Sequence, residues 1–220
     1  VSPARKRTAI LISGRGSNMR ALIERARDAS YPAEVVLVLS NRPDAEGLEF
    51  ASQSKIACAV TEHNRYASRE AFERAMQNEL EIRRVELICL AGFMRLLSPC
   101  FVNQWHGRIL NVHPALLPAY PGLKTHERAL AGGVKIHGCT VHFVSPAMDQ
   151  GPIIAQAAVP VLDNDTPETL AARVLAQEHK IYPAALARIA SGGYRIDNNR
   201  VLCGDAPAEP APLRVPFGEG

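Results

Sequence analysis

The sequence predicts an α/β protein whose open, twisted, mixed sheet is parallel in its first half, gains antiparallel strands late, and carries helices on both faces. Three observations carry this prediction. Short apolar runs alternate with helix-spaced segments early in the chain, the pattern of parallel strands buried on both faces and linked by crossover helices. The late strand candidates neighbour one another in sequence. Apolar residues make up 47% of the 220 and aromatics only 5%, which suits a sheet packed between helices.

Each element has its own signal. Residues 8–13, Thr-Ala-Ile-Leu-Ile-Ser, form the first buried strand. Gly14-Arg15-Gly16-Ser17-Asn18 ends it, and helical spacing follows over 19–26. A second buried strand at 35–40 stops at Asn41, a helix covers 45–53, a weaker strand 56–60, and another helix 68–80. The strand at 86–91 has Gly92 at its carboxyl end, and the strand at 109–113 is closed by Pro114. Two later strands are expected at 140–144 and 153–159, then a long helix over 167–190. Asn198-Asn199 marks the turn of a closing hairpin with arms at 194–196 and 201–202. This order is Rossmann-like, and ligands of such sheets sit beyond the carboxyl ends of the strands.

Length and composition narrow the function classes. The 220 residues fit one large domain, expected over 8–203, between a flexible basic leader at 1–7 and a Pro-rich tail at 204–220. Arg5, Lys6 and Arg7 read as a solvated leader rather than a nucleic-acid arm. A formal charge of +3 is too small to argue for nucleic acid, yet does not hinder anionic metabolites. No apolar run reaches the roughly 18–20 residues that span a bilayer, and the start lacks the layout of a secretion signal. The five cysteines, Cys58, Cys89, Cys100, Cys139 and Cys203, contain no C-x-x-C pair. A reducing compartment without disulfides or structural zinc, the cytoplasm, is therefore expected.

Four places carry candidate chemistry. The glycine loop lacks the third glycine of a dinucleotide fingerprint, since Met19 takes its place, and no G-K-[ST] follows. It suits one phosphate on the Gly16 and Ser17 amides, the Ser17 hydroxyl and the Asn18 amide, or else a capped turn. Asn111 and His113 share a face of one strand end, as a satisfied core pair or as a site. Asp149 lies between two strands, as a turn former or as a site residue. Glu178 falls on the apolar stripe formed by Leu170, Val174, Ile181 and Ala185 in the long helix, which calls for a partner or a ligand. His137 and His142 lack the third ligand and spacing of a metal site, so no metal is expected.

Taken together, the runs ISGxGSN, LAGFMRLLS, LNVHPALLPAYPG, HGCTVHFV and DQGPII resemble the glycinamide ribonucleotide formyltransferases, folate-dependent enzymes of purine synthesis. The likeness runs in order over 8–198 and implies the formyltransferase fold. It implies formyl transfer from 10-formyltetrahydrofolate, as co-substrate, to the amine of glycinamide ribonucleotide. By that resemblance Asn111 and His113 stabilise the negative oxygen of the tetrahedral intermediate, and Asp149 pairs with His113 and relays the amine's proton. Gly16, Ser17, Asn18 and Glu178 would bind the ribonucleotide. Met94, Arg95, Leu96 and Leu97 would line the pterin, with Ser145, Pro146, Ala147 and Met148 as the other wall and Arg69 near the tail carboxylates. Read from the residues alone, Met94, Leu96 and Leu97 are equally core and Arg69 a solvated helix start. Arg15 and Ala119 stand at variable positions of the family pattern. Partners are expected to be small molecules, without nucleic acid or membrane, and the chain a monomer or homodimer. Methionyl-tRNA formyltransferase, formyltetrahydrofolate deformylase and a non-catalytic nucleotide-binding module are the alternatives.

Overall fold

The structure is a computed structural model that describes residues 4–203. The first half alternates strictly: β1 (Lys6–Ile12), α1 (Ser17–Ala26), β2 (Ala33–Ser40), α2 (Gly47–Gln53), β3 (Cys58–Val60), α3 (Arg69–Ile82) and β4 (Leu87–Leu90). Then come α4 (Pro99–Gln104), β5 (Ile109–His113), α5 (Thr125–Ala131), β6 (Ile136–Phe143), β7 (Ile153–Pro160), α6 (Pro167–Ala190), β8 (Tyr194–Asp197) and β9 (Arg200–Cys203). They build one nine-stranded sheet in the order β3-β2-β1-β4-β5-β6-β7-β9-β8. Neighbours from β3 to β5 pair in parallel, while β6 lies antiparallel to both β5 and β7. The order reverses between β1 and β4, and that switch point opens a crevice at their carboxyl ends.

Both faces of the central strands are buried, which explains their unbroken apolar runs. Ile10 and Ile12 of β1 face a core shared with Leu22 and Ile23 of α1 and Leu186 and Ile189 of α6. Ala9 and Leu11 face the opposite core, with Phe72, Met76 and Leu80 of α3 and Phe101 and Trp105 near α4. Tyr182 of α6 is fully buried, its hydroxyl 3.0 Å from the carbonyls of Leu90, at the end of β4, and Leu110, within β5. The expected stripe counted Ile181 instead, which is only partly buried.

The structure corrects the leader. β1 starts at Lys6, and the Arg5 guanidinium donates to the carbonyls of Tyr31 at 2.8 Å and Ala33 at 2.6 Å. Lys6 pairs with Glu86 at 2.7 Å, and Arg7 Nε donates to the Arg83 carbonyl at 2.9 Å. Arg5 and Arg7 thus satisfy backbone carbonyls, while Lys6 meets a carboxylate. Residues 1–3 of the expected leader, and the tail at 204–220, lie outside the described residues. β6 likewise begins at Ile136 rather than 140, carried by its pairing with β7 through Gly138, a weak strand former at a place where a Cβ would stand 2.0 Å from the Ala157 carbonyl oxygen.

Candidate active site

β5 ends near the middle of the sheet and sets Asn111 and His113 on one face. Antiparallel β6 places His142 opposite Asn111. Asn111 Nδ2 lies 3.2 Å from His142 Nε2. The other ring nitrogen of His142, Nδ1, is 2.8 Å from the Phe143 carbonyl and must carry the proton. Nε2 is then an acceptor, so the Asn111 amide donates to it, which fixes the end of the carboxamide that bears the hydrogens. Burial pushes the His142 pKa down from its ordinary value, favouring this neutral ring.

His113 sits between two acceptors. Its Nε2 is 2.9 Å from the Tyr120 carbonyl and its Nδ1 3.5 Å from Asp149 Oδ2. A neutral imidazole serves only one acceptor; the doubly protonated ring serves both. Asp149 occupies the turn after β6 with φ 55°, a left-handed geometry that Asp tolerates. Gly122 N–H donates to its Oδ2 at 2.8 Å, and its Oδ1 is 3.9 Å from His142 Nε2. Nearby, Gly151 has no room for a side chain, since a Cβ would stand 1.7 Å from the Phe143 carbonyl oxygen. Asn111, His113 and Asp149 thus come together, joined by a fourth residue, His142. From the sequence His142 stands out only as a metal-ligand candidate. The signal that marked Asn111, a polar side chain in an apolar strand, was equally present there.

The glycine loop turns through Gly16, with φ 69°, into the first turn of α1. Its carbonyl at Gly14 accepts from Gly47 N–H at 3.1 Å, so α2 buttresses the loop. A cavity of about 420 Å³ opens here, lined by the loop, by Asn41, Arg42 and His63, and by Gly92, Met94 and Arg95 beyond β4. Beneath it Ser13 Oγ donates to Asn41 Oδ1 at 2.6 Å and accepts from Met94 N–H at 2.8 Å. Ser13, Asn41 and His63 carried no expected role. Arg15 lines the same cavity.

Asn18 departs from its expected use. Its Nδ2 donates to Glu178 Oε2 at 2.6 Å, so that amide hydrogen is turned away from any anion. Its Oδ1 is buried without a partner among the described residues, an acceptor left for a donor group of a ligand. The partner that a carboxylate on an apolar stripe requires is therefore Asn18. Burial still raises the Glu178 pKa above its ordinary value.

The segment expected to line the pterin is largely exposed rather than core. Met94 is 68% exposed, Leu96 63% and Met148 56%, three large apolar side chains that face solvent. Leu97 alone is packed against the core, on the α3 and α4 side. Arg95, Pro146 and Ala147 are exposed, and the Ser145 hydroxyl donates to the Ala147 carbonyl at 2.9 Å. Arg69 stands exposed at the first residue of α3, with no contact to the other site residues among those described. A larger open groove of about 1050 Å³ runs between α1 and α6 and meets this site only at Ser17. Among the described residues no group of three His, Cys, Asp or Glu is placed to hold a metal, and no helix is long and apolar enough to cross a membrane.

A family model described as formyl transferase matches residues 6–186. The chain is 47% identical over 203 residues to the trifunctional purine biosynthetic protein adenosine-3 of Bos taurus, covering 92% of this chain but 20% of that protein. It spans about a fifth or less of such trifunctional relatives. It is 45% identical over 190 residues to phosphoribosylglycinamide formyltransferase of Escherichia coli, covering 86% of this chain and 90% of that one. Among solved structures, glycinamide ribonucleotide transformylase 1 from Symbiobacterium toebii superposes with a TM-score of 0.89 at 46% identity, covering 91% of this chain and 95% of that one.

Proposed function

Because the chain belongs to the formyl transferase family, we propose that it moves the formyl group of 10-formyltetrahydrofolate onto the amine of glycinamide ribonucleotide in purine synthesis. The products are formylglycinamide ribonucleotide and tetrahydrofolate. The observation that supports this most is the cluster in which Asn111, His142, Asp149 and His113 meet.

Asn111 gives one amide hydrogen to His142 and keeps the other for the oxygen that turns negative as the amine attacks the formyl carbon. His113, on the same face and beside the Asp149 carboxylate, stabilises the same oxygen. Asp149 receives the proton that the amine sheds, through water, and the leaving folate nitrogen takes up a proton as its bond to the formyl carbon breaks. The transfer is proton-neutral overall. The attacking nitrogen is the substrate's own, so no cysteine serves as nucleophile.

The substrate phosphate rests on the Gly16 and Ser17 amides at the start of the ten-residue α1, with Arg15, Arg42 and Arg95 around the same cavity. Asn18 accepts from the ribonucleotide through Oδ1, oriented by Glu178. The pterin covers Met94, Leu96 and Met148, with Leu97 and the Ser145, Pro146 and Ala147 wall beside it, while Arg95 and Arg69 serve the anionic parts of the two substrates. The same reading places the protein in the cytoplasm as a monomer or homodimer, acting on small molecules rather than nucleic acid or membranes.

The test mixes the protein with both substrates and follows folate absorbance. Asn111→Ala is expected to lose on the order of 10²–10³ in kcat, the usual effect of removing an oxyanion donor. Binding of both substrates without turnover by the wild type points instead to a non-catalytic module. Near-normal turnover in Asn111→Ala removes that residue from the chemistry.

A further inference from the structure

Two backbone groups of one loop hold the proposed proton-moving pair. The Tyr120 carbonyl accepts from His113 Nε2 at 2.9 Å, and Gly122 N–H donates to Asp149 Oδ2 at 2.8 Å. Backbone φ is positive at Tyr120, Gly122 and Lys124, and such a run persists only where its surroundings hold it. Pro121 lies between the two contacts, and its carbonyl belongs to the same peptide unit as the Gly122 N–H.

That carbonyl is gripped from outside. Arg128 Nη1 donates to Pro121 O at 2.6 Å and lies 3.4 Å from Leu123 O. The guanidinium also stands over the Tyr120 ring, 5.5 Å from its centroid. A peptide unit is planar, with its C=O and N–H pointing in opposite directions, so fixing the oxygen aims the hydrogen. A cation on the oxygen also polarises the unit and strengthens its N–H as a donor.

We propose that Arg128, an exposed side chain of α5 outside the cluster, is a positioning residue that holds Asp149 against His113 through the Pro121–Gly122 peptide. The proposal rests on the reading of Asp149 and His113 as the proton-moving pair, and its test separates the two.

The experiment measures kcat and both KM values for wild type, Arg128→Ala, Arg128→Lys, Asp149→Asn and the Arg128→Ala/Asp149→Asn double variant. Arg128→Ala is expected to lower kcat roughly three- to tenfold, the effect of one charge-assisted hydrogen bond reduced by solvent exposure. Both KM values stay within about twofold of wild type. Arg128→Lys, which keeps the charge and a donor, recovers most of the loss. In the Asp149→Asn background, Arg128→Ala leaves the residual rate unchanged, because the carboxylate it acts on is gone. An unchanged kcat in Arg128→Ala, or the same fold loss in both backgrounds, overturns the positioning role. Wild-type turnover in Asp149→Asn instead sinks the reading of the pair itself.

Discussion

Replacing Glu73 by alanine tests how α3 is tied to segment 93–98, the segment that carries Met94, Arg95, Leu96 and Leu97. The Glu73 carboxylate is buried and takes two hydrogen bonds from Ser98: the N–H reaches Oε1 at 2.5 Å, and the hydroxyl reaches Oε2. Ser98 Oγ in turn accepts from Phe101 N–H at 3.2 Å as the N-cap of α4. Alanine leaves the buried Ser98 N–H without an acceptor and removes a charge-assisted bond, a loss of about 2–4 kcal/mol. At about 2–4 °C per kcal/mol for a chain of this size, a loss of 3 kcal/mol lowers Tm by about 6–12 °C. Glu73→Gln keeps an acceptor for the N–H, and its amide can donate to a reversed Ser98 hydroxyl, so it costs under about 1 kcal/mol. Urea unfolding of the three proteins measures these differences. Kinetics add a second reading: the folate KM rises in Glu73→Ala while that for the ribonucleotide stays put. A loss below about 1 kcal/mol in Glu73→Ala, or equal damage from Gln and Ala, refutes the reasoning.

Two further outcomes follow from groups whose surroundings are tight. Burial raises the Glu178 pKa above its ordinary 4.5, so the native state holds that proton more firmly than the unfolded one. The associated stability is complete below pH 4.5 and is lost as pH rises through the raised native pKa. Glu178→Gln therefore gains stability relative to wild type as pH climbs toward neutrality, and a pH-independent difference in thermal unfolding contradicts this. Gly151→Ala forces a Cβ to within 1.7 Å of the Phe143 carbonyl oxygen and must displace the turn that carries Asp149. It is expected to cost about 3 kcal/mol or more, together with a fall in kcat; an unaltered Tm and kcat would show that the turn gives way freely.

Much of the architecture was legible locally. The strand Ile109–His113 and the helix Pro167–Ala190 have the bounds that the sequence alone suggests, and the hairpin turns at Asn198 and Asn199, both at positive φ. The short helices α4 and α5 are not legible in the sequence, since six or seven residues show little of a 3.6-residue period, although α2, equally short, is. A capping signal, Ser98 before Pro99, was nevertheless present. The leader was misjudged because charge pattern cannot reveal that Arg5 meets the carbonyls of Tyr31 and Ala33.

The sequence by itself determined the order of the strands and of the longer helices, the alternating faces that carry Asn111 and His113, the glycine loop after the first strand, and the family likeness. All of these depend on residues close together in the chain. Tertiary structure alone decided that His142 stands opposite Asn111, that Asn18 bonds Glu178 from 160 positions away, and that Glu73 receives Ser98. It also decided that Met94 and Leu96 lie open rather than in the core. Periodicity says which way a side chain points from its own element. Its partner is set by strand register and helix docking, which depend on how the whole sheet closes its two cores.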